Sequence, residues 1–184
     1  DLQRDVREQC GGVQVAALDS MNFWIEKTRD SLVKTIGVVD MVLMNDAELR
    51  MLTEEPNLVK AAAAVRALGP RVVIAKQGEY GAALFTEDGF FALPAYPLET
   101  VNDPTGAGDS FAGGFMGYLA AHADELDDAH LRRAMAYGTA VASYNVEGFG
   151  TERVARLTAG EISDRVAELA RITHFEDAPI ELRA

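Results

Sequence analysis

Three short apolar runs alternate with stretches of helical periodicity in the first half of the chain, and this alternation limits the possible folds most strongly. The runs are rich in β-branched residues and lie at residues 13–18, 38–43 and 71–75. Strands that alternate with helices form βαβ units, whose strands lie parallel in one sheet. The sequence therefore predicts a three-layer α/β/α domain with a mostly parallel central sheet.

Turn and capping signals predict the remaining elements. Two apolar runs, Ala82–Phe85 and Phe90–Leu93, flank the segment Thr-Glu-Asp-Gly, which is typical of an antiparallel hairpin, expected here at an edge of the sheet. Thr158, with Glu161 three residues later, matches a capping box at the start of the last helix. The helices are predicted at residues 21–36, 58–68, 109–123, 128–144 and from Thr158 to about 173.

Composition and charge narrow the possible partners. Hydrophobic residues make up 48% of the chain, which is enough for a sizeable core. The net charge of −12 argues against nucleic acid and anionic membranes, which are bound through excess Lys and Arg. Cys10 is the single cysteine, so a reducing, cytoplasmic location is expected. The expected partner is a small molecule, and a homodimer is left open.

A glycine-rich segment, Asp-Pro-Thr-Gly-Ala-Gly-Asp at residues 103–109, directly precedes a long apolar helix. Glycines allow backbone N–H groups to converge without clashes between Cβ atoms. The first N–H groups of a helix have no partner inside the helix, and the helix dipole favours negative charge there. Gly106, Ala107 and Gly108 therefore predict an anion hole.

Asp109 follows this loop in the first helical turn. It is either a favourable helix-start residue or a base that takes the proton of an acceptor hydroxyl beside developing phosphoryl charge. The glycine-lined loop favours the base. Two other glycine loops are excluded. The dinucleotide fingerprint requires a glycine where Phe111 lies, and the P-loop requires Gly-Lys-Ser/Thr where the chain has Gly-Asp-Ser.

Residues 103–115, Asp-Pro-Thr-Gly-Ala-Gly-Asp-Ser-Phe-Ala-Gly-Gly-Phe, resemble the second signature of the ribokinase-like, or PfkB-type, carbohydrate kinases. The resemblance extends from about residue 13 to about residue 174 and covers the C-terminal half of that family. It implies a ribokinase-like fold and transfer of the γ-phosphate of ATP, with Mg²⁺, to a hydroxyl of a sugar or nucleoside. It also implies that Asp109 is the catalytic base and that Gly106, Ala107 and Gly108 form the anion hole.

The segment Asn45-Asp-Ala-Glu48 follows the second apolar run and resembles the Asn-x-x-Glu motif of the same family. The resemblance implies that Glu48 orients water bound to Mg²⁺ and that Asn45 helps to fix the loop. The local alternative is a capping box, with Asn45 as N-cap and Glu48 reaching back to its backbone. The resemblance favours the metal role.

The segment Lys76-Gln-Gly-Glu-Tyr-Gly81 follows the third apolar run and resembles the family's turn next to the nucleotide. Lys76 either reaches a phosphate as a point charge or is solvated at the end of the strand, and both alternatives stay open. Gly78 and Gly81 are nucleotide-site candidates by the resemblance, and their residue type favours a role in forming the turn.

The segment Asn-Val-Glu-Gly-Phe-Gly at residues 145–150 resembles the family's loop beside the adenine and, in some relatives, a monovalent-cation site. The resemblance implies Thr105, Asn145 and Gly148 as nucleotide-binding residues. Asp103 with Thr105 becomes a candidate K⁺ site through oxygen ligands. The alternative is a helix C-terminus that ends in glycines.

The family's first signature, its sugar-binding acidic residues and its β-strand lid do not occur in these 184 residues. We therefore expect residues 1–184 to be the ATP-binding, C-terminal part of a kinase domain that begins earlier, and we expect this part in isolation to be inactive. The expected activity of the whole is that of an ATP-dependent sugar kinase. A nucleoside kinase and a non-catalytic nucleotide-binding fragment stay open as alternatives.

Overall fold

A computed structural model describes residues 2–122 and 127–176. Within these residues the strands of a single sheet are β1 (Ala17–Asp19), β2 (Met41–Asn45), β3 (Val72–Lys76), β4 (Ala82–Phe85) and β5 (Phe90–Leu93), in that spatial order. The strands β1, β2 and β3 are parallel, β4 is antiparallel to β3, and β5 is antiparallel to β4. The predicted fold class and the edge hairpin are confirmed.

The helices cover both faces of this sheet. In the described residues they are α1 (Leu2–Gln9), α2 (Asn22–Lys27), α3 (Arg29–Ile36), α4 (Asp46–Thr53), α5 (Leu58–Arg66), α6 (Ala107–Ala121), α7 (Asp128–Asn145) and α8 (Ala159–Thr173). The helices α2 to α5 pack on one face, and α6 and α7 pack on the other. None of the helices in the described residues is long and apolar enough to span a membrane.

Strand β2 shows how the sequence builds the two layers. Successive side chains of a strand point to opposite faces of a sheet. Val42 and Met44 lie in the core under α2 to α5, whereas Met41 and Leu43 lie in the core under α6 and α7. Both faces are buried, so the strand reads as a continuous apolar run, as expected for a parallel sheet.

The structure shifts the three parallel strands toward the C-terminus relative to the predicted runs at 13–18, 38–43 and 71–75. Each strand extends to a polar last residue, namely Asp19, Asn45 and Lys76. Hydrophobicity missed these residues because their strand pairing continues while their polar groups find partners at the sheet edge.

The single helix predicted over residues 21–36 is wrong, because it breaks into α2 and α3 at Thr28, whose φ and ψ are −141° and 37°. The Thr28 hydroxyl donates to the Trp24 carbonyl at 3.2 Å, which is the local competition that Thr offers to helical bonding. Ile25 of α2 is buried in the core, whereas its neighbours Phe23 and Trp24 are 50% and 42% exposed.

The later helices agree with the predictions apart from their ends. The helix predicted over 58–68 ends at Arg66, and α7 extends to Asn145. The helix predicted over 109–123 begins two residues early, at Ala107, while its predicted end at residue 123 lies outside the described residues. The capping box of Thr158 and Glu161 is confirmed.

Candidate active site

The ends of β1, β2 and β3 bring three polar side chains to one edge of the sheet. Asp19, Asn45 and Lys76 are the last residues of these strands. Asn45 pairs in register with Lys76, and Asp19 pairs with Leu43 two residues earlier on β2. Open α/β sheets bind ligands outside the carboxyl ends of their strands. The structure therefore joins two separate sequence motifs at the edge where ligands bind in this class of fold.

Asn45 and Glu48 form the capping box at the start of α4. The Glu48 N–H donates to Asn45 Oδ1 at 2.8 Å, and the Asn45 N–H donates to Glu48 Oε2 at 2.8 Å. Glu48 is only 6% exposed, and burial raises the pKa of its carboxyl, opposed by the hydrogen bonds from Asn45 and by the charge of Lys76. The cap thus holds a buried carboxylate close to Lys76 and Asp19.

The ammonium group of Lys76 is paired and mostly buried. It donates a hydrogen bond to Asp19 Oδ2, and the Lys76 side chain is 15% exposed. A solvated strand-end lysine is therefore not what the structure shows. The side chain extends toward the loop before α6, where a Cβ built on Gly108 would lie 3.1 Å from Lys76 Nζ.

The two glycines of the Gly-Ala-Gly-Asp loop serve different purposes. Gly106 is the N-cap of α6 with φ +79° and ψ 3°, a left-handed conformation that other residues rarely adopt. Gly108 is already inside the helix, and its missing side chain leaves room for Lys76. The Ala107 N–H donates to the Pro104 carbonyl at 3.2 Å, and Ser110 makes the first intrahelical bond, to Gly106 at 2.8 Å.

The start of α6 is open. Among the residues that the structure describes, no side chain caps this helix. The N–H groups of Gly108 and Asp109 precede the first intrahelical donor, Ser110. Such groups need a partner from water, a side chain or a ligand. The start of α6 therefore offers backbone donors next to the ammonium group of Lys76.

Asp109 lies beside this open start and faces a groove. The residue is exposed and lines a groove of about 620 Å³ that follows α6 past Gly113 and Gly117. A Cβ at either of these two glycines would meet no described heavy atom within 4 Å. The carboxylate of Asp109 is therefore accessible to solvent at this groove.

Asn145 fixes the loop from behind. Its side chain is 2% exposed, Nδ2 donates to the Thr105 carbonyl at 2.8 Å, and Oδ1 accepts from the Ser110 hydroxyl at 2.9 Å. A Cβ on Gly106 would lie 3.7 Å from Asn145 Oδ1. The end of α7 therefore holds the loop before α6 in place through a buried amide.

Asp103 joins the same loop to the segment after α7. Its carboxylate accepts from the Thr105 N–H at 3.0 Å and from the Gly150 N–H at 3.3 Å, and these hydrogen bonds, the one from Thr105 first, lower the pKa of Asp103. Asn102 adds a hydrogen bond from its side chain to the Glu147 carbonyl at 2.7 Å. Two loops from different helix ends are thus held together around an anionic side chain.

The other glycine candidates support backbone geometry. Gly81 has φ +99°, and a Cβ there would come within 2.1 Å of the Leu93 carbonyl oxygen. Gly78 has φ +57° at the start of a short 3₁₀ turn. A Cβ on Gly148 would lie 3.1 Å from the Cβ of Arg153. Glycine is required at Gly81 by close backbone approach, which agrees with its expected role in the turn.

Two residues of this region escaped the sequence analysis. Asp19 pairs with Lys76, and Ser110 bonds Asn145. The available signal for Asp19 was an acidic residue directly after an apolar run. Its partner lies 57 residues further along the chain, a distance that no local pattern bridges.

A comparison with protein families decides the classification. The chain matches the model of the pfkB family carbohydrate kinases over residues 10–156. The chain belongs to this family. The signature at residues 103–115 therefore lies within the family match, and the structure places its Gly108 next to Lys76 at the carboxyl end of β3.

The PfkB relatives include kinases with different acceptors. The chain is 34% identical over 125 residues to a nucleoside kinase of Methanothermobacter thermautotrophicus, covering 68% of this chain and 37% of that protein. It is 30% identical over 173 residues to a 1-phosphofructokinase of Haloferax volcanii, covering 94% of this chain and 48% of that protein. The chain thus spans about half the length, or less, of these relatives.

A solved structure supports the same fold. The aminoimidazole riboside kinase of Salmonella enterica, complexed with aminoimidazole riboside and an ATP analogue, superposes with a TM-score of 0.73 at 25% identity. The match covers 83% of this chain and 52% of that protein. The sheet and helices described above are those of a ribokinase-like fold.

Proposed function

We propose that residues 1–184 form the ATP-binding, C-terminal part of a kinase that transfers the γ-phosphate of ATP to a hydroxyl group of a sugar. The observation that carries this proposal is the open start of α6, with the Lys76 ammonium group beside Gly108 and the exposed carboxylate of Asp109 next in the chain. On this proposal, the start of α6 and Lys76 bind phosphate, and the carboxylate of Asp109 takes a proton from the acceptor hydroxyl.

The residues present fit the polyphosphate of ATP. The N–H groups of Gly108 and Asp109 precede the first intrahelical bond, and helix starts with free donors are established anion-binding positions. Lys76 adds a positive charge at the same place. The S. enterica relative solved with an ATP analogue supports ATP as the donor.

The residues also fit Mg²⁺. Within the part of the chain that the structure describes, no group of three or more His, Cys, Asp and Glu side chains could hold a metal ion. Magnesium in phosphoryl-transfer sites needs less from the protein, because water and substrate phosphates supply most of its ligands. We assign Glu48 to orient metal-bound water and Asn45 to hold Glu48 through the capping box.

The chemistry assigned to the chain is positioning and proton transfer. When bound, Mg-ATP supplies the phosphoryl group. A carboxylate oxygen of Asp109 would accept the proton of the acceptor hydroxyl while the acceptor oxygen bonds to the γ-phosphorus, the bond from that phosphorus to the β-phosphate oxygen breaks, and ADP leaves. The loop of Gly106, Ala107 and Gly108 holds the negative charge that grows on the transferred group, with Lys76 beside it. Such positioning and electrostatic effects dominate phosphoryl transfer in general.

The loops after Asn102 and Asn145 are assigned to the nucleotide. Gly148 and Thr105 lie in the two joined loops, and Asn145 supports them from its buried position. The lowered pKa keeps Asp103 anionic, which suits an oxygen ligand for K⁺ at this junction. A cytoplasmic location, which keeps Cys10 reduced, is part of the same proposal.

A nucleoside kinase is the second candidate, because the relative from M. thermautotrophicus is a nucleoside kinase. The two candidates share the phosphate site and differ in the acceptor. A non-catalytic nucleotide-binding fragment is the third, since the chain spans about half the length of its relatives.

The acceptor is tested with the full-length protein that, on this proposal, contains this chain. Purified protein with Mg-ATP is offered ribose, fructose, adenosine or cytidine, and the phosphorylated product is identified by mass spectrometry. We expect a sugar phosphate. Phosphorylation confined to adenosine or cytidine would establish the nucleoside kinase instead, and ATP binding without any product would favour the non-catalytic fragment.

The division of labour is tested with residues 1–184 expressed in isolation. We expect weak binding of a non-hydrolysable ATP analogue by calorimetry and no sugar phosphorylation, because an open site lets water compete for the reacting groups. Saturable phosphorylation of a sugar by this part would contradict the proposal that the acceptor site lies elsewhere.

A further inference from the structure

The ion pair of Asp19 and Lys76 connects β1 to β3 across the end of β2. Asp19 ends β1 and Lys76 ends β3, while β2 lies between them. Asp19 is level with Leu43 in the register, and Leu43 is level with Ile74, so Lys76 lies two residues further along. Neighbouring strands are about 4.8 Å apart, so the side chains of Asp19 and Lys76 together bridge roughly 10 Å across the end of β2. Its direction is set across the sheet.

The carboxylate of Asp19 is oriented by a second bond. The Ser20 N–H donates to Asp19 Oδ1 at 2.8 Å, while Oδ2 accepts from Lys76 Nζ. The side chains of Asp19 and Lys76 are 28% and 15% exposed, whereas those of the surface pair Asp128 and Arg132 are 39% and 48% exposed. A partly buried pair with a fixed acceptor constrains its lysine more than an exposed pair does.

A third charged group lies near this pair. The charges of Lys76 and Asp19 both act on the carboxyl group of Glu48, and burial raises the pKa of this group. Glu48 also has Oε2 engaged by the Asn45 backbone. Asp19 is consequently the carboxylate that bonds Lys76 directly.

The far end of the lysine lies against the phosphate-binding loop. A Cβ on Gly108 would lie 3.1 Å from Nζ, 3.8 Å from Cε and 4.0 Å from Cδ of Lys76. The last part of the side chain thus runs along the open side of Gly108. Asp19 is the side chain that hydrogen-bonds the ammonium group at this place.

We infer that Asp19 is a positioning residue that holds the Lys76 ammonium group beside Gly108, where it receives a phosphate oxygen of ATP. The inference rests on the proposed function and extends it to a residue outside the family motifs identified above. The competing explanation is that the pair only ties β1 to β3.

A positioning role for Asp19 and a purely structural role for its ion pair predict different kinetics. Asp19→Asn removes a negative charge close to the polyphosphate, so KM for ATP should fall or stay level. The same change releases Lys76, so kcat should fall about ten- to a hundredfold, the size expected for a misplaced group. A purely structural tie would lower thermal stability without separating kcat from KM in this way.

A double-mutant cycle shows whether Asp19 acts through Lys76. The variants are Asp19→Asn, Lys76→Met and both together, all in the full-length protein. If Asp19 acts by placing Lys76, Asp19→Asn changes kcat little once Lys76 is Met. Asp19→Glu should restore part of the lost kcat. Asp128→Asn, which breaks the exposed pair with Arg132, is the matched control and should leave kcat unchanged.

Lysine acetylation gives a readout that does not depend on turnover. The other lysines of the chain, Lys27, Lys34 and Lys60, are exposed and serve as internal references. We expect Lys76 to react at least about tenfold more slowly than these, because it is paired and 15% exposed. A non-hydrolysable ATP analogue should slow Lys76 further, and Asp19→Asn should accelerate it.

The outcomes separate the inference from the proposed function. If the wild type phosphorylates its acceptor but the effects of Asp19→Asn and Lys76→Met on kcat are additive, the inference is wrong and the function stands. The same holds if the analogue binds in calorimetry without protecting Lys76. If the wild type neither binds the analogue nor phosphorylates any acceptor, the proposed function fails and the inference fails with it.

Discussion

The helices α6 and α8 begin with nearly the same residues, Gly-Ala-Gly-Asp in α6 and Thr-Ala-Gly-Glu in α8, counted from the N-cap. At α8 the Glu161 N–H donates to the Thr158 hydroxyl at 3.3 Å, and Glu161 Oε2 accepts from the Thr158 N–H at 2.9 Å. At α6 the N-cap is Gly106, and within the described residues no side chain closes the start.

The acidic residues of the two starts differ accordingly. Glu161 is held by Thr158 and by Arg153 at 2.6 Å, and these hydrogen bonds lower its pKa to about 2. Asp109 is exposed beside a groove. One N-cap side chain therefore decides whether a helix start closes on itself or leaves its donors and its acid free for a ligand.

The largest effect is expected from the acid of the open start. Asp109→Asn should lower kcat by about 10²–10⁴-fold, because the amide cannot accept the proton, while ATP affinity stays nearly level. Steady-state kinetics and calorimetry on the full-length protein measure both. Asp164→Asn on the exposed side of α8 is the control and should leave kcat as it is. Near-normal kcat for Asp109→Asn would reduce Asp109 to a helix-start residue.

The second effect compares equivalent glycines. Gly108→Val should lower kcat by about 10²–10³-fold, because its side chain enters the space of Lys76 and disturbs the donors of the open start. Gly160 occupies the same position in α8, where the nearest atom to an added Cβ is Thr158 Oγ1 at 4.0 Å. Gly160→Val should therefore keep kcat. If both variants lose only thermal stability, Gly108 serves packing and not catalysis.

The third effect concerns the start of α4, which is closed like α8 but buried. Glu48→Gln keeps an oxygen for the capping bond and removes the charge. We expect the Mg²⁺ concentration for half-activation to rise about tenfold or more, in the range seen when residues behind a metal are changed. A Mg²⁺ activation curve that overlays that of the wild type would leave Glu48 a cap only.

The smallest effect is a pH dependence at the closed start of α8. The pKa of Glu161 is lowered from 4.5 to about 2, so its stabilising contribution is complete above about 4.5 and is lost as pH falls toward about 2. Urea unfolding of the wild type and of Glu161→Gln should differ most above 4.5 and converge below it. A difference that stays constant with pH would mean that the carboxylate charge contributes nothing at this helix start.

What the sequence could predict follows from how local each interaction is. The open start of α6 depends on consecutive residues, so its glycines and its acid could be read directly. The capping boxes at Asn45 and Thr158 each join residues three positions apart, so they could also be predicted from the sequence. The different roles of Gly106 and Gly108 were not, because the first rests on a backbone angle and the second on a lysine from another strand.

The missed features share a dependence on tertiary packing. The ion pair of Asp19 and Lys76 joins residues 57 apart through the sheet register. The break at Thr28 is a change of backbone angles at one residue between two buried positions, Ile25 and Leu32, and hydrophobic periodicity does not register such a change. Hydrophobic patterns predict the order of the elements. The partners of polar residues at the ends of these elements can be predicted only when the neighbouring element is known.

The order of the strands in the sheet has a consequence for synthesis on the ribosome. Because β1 to β5 are adjacent in the order in which they are translated, each strand meets its partner as soon as it emerges. The face with Leu43 and Ile74 must nevertheless wait for Phe111 and Phe115 of α6 to cover it. A nascent chain that ends before α6 should expose this apolar face and bind chaperones, and release should coincide with the emergence of α6 and α7.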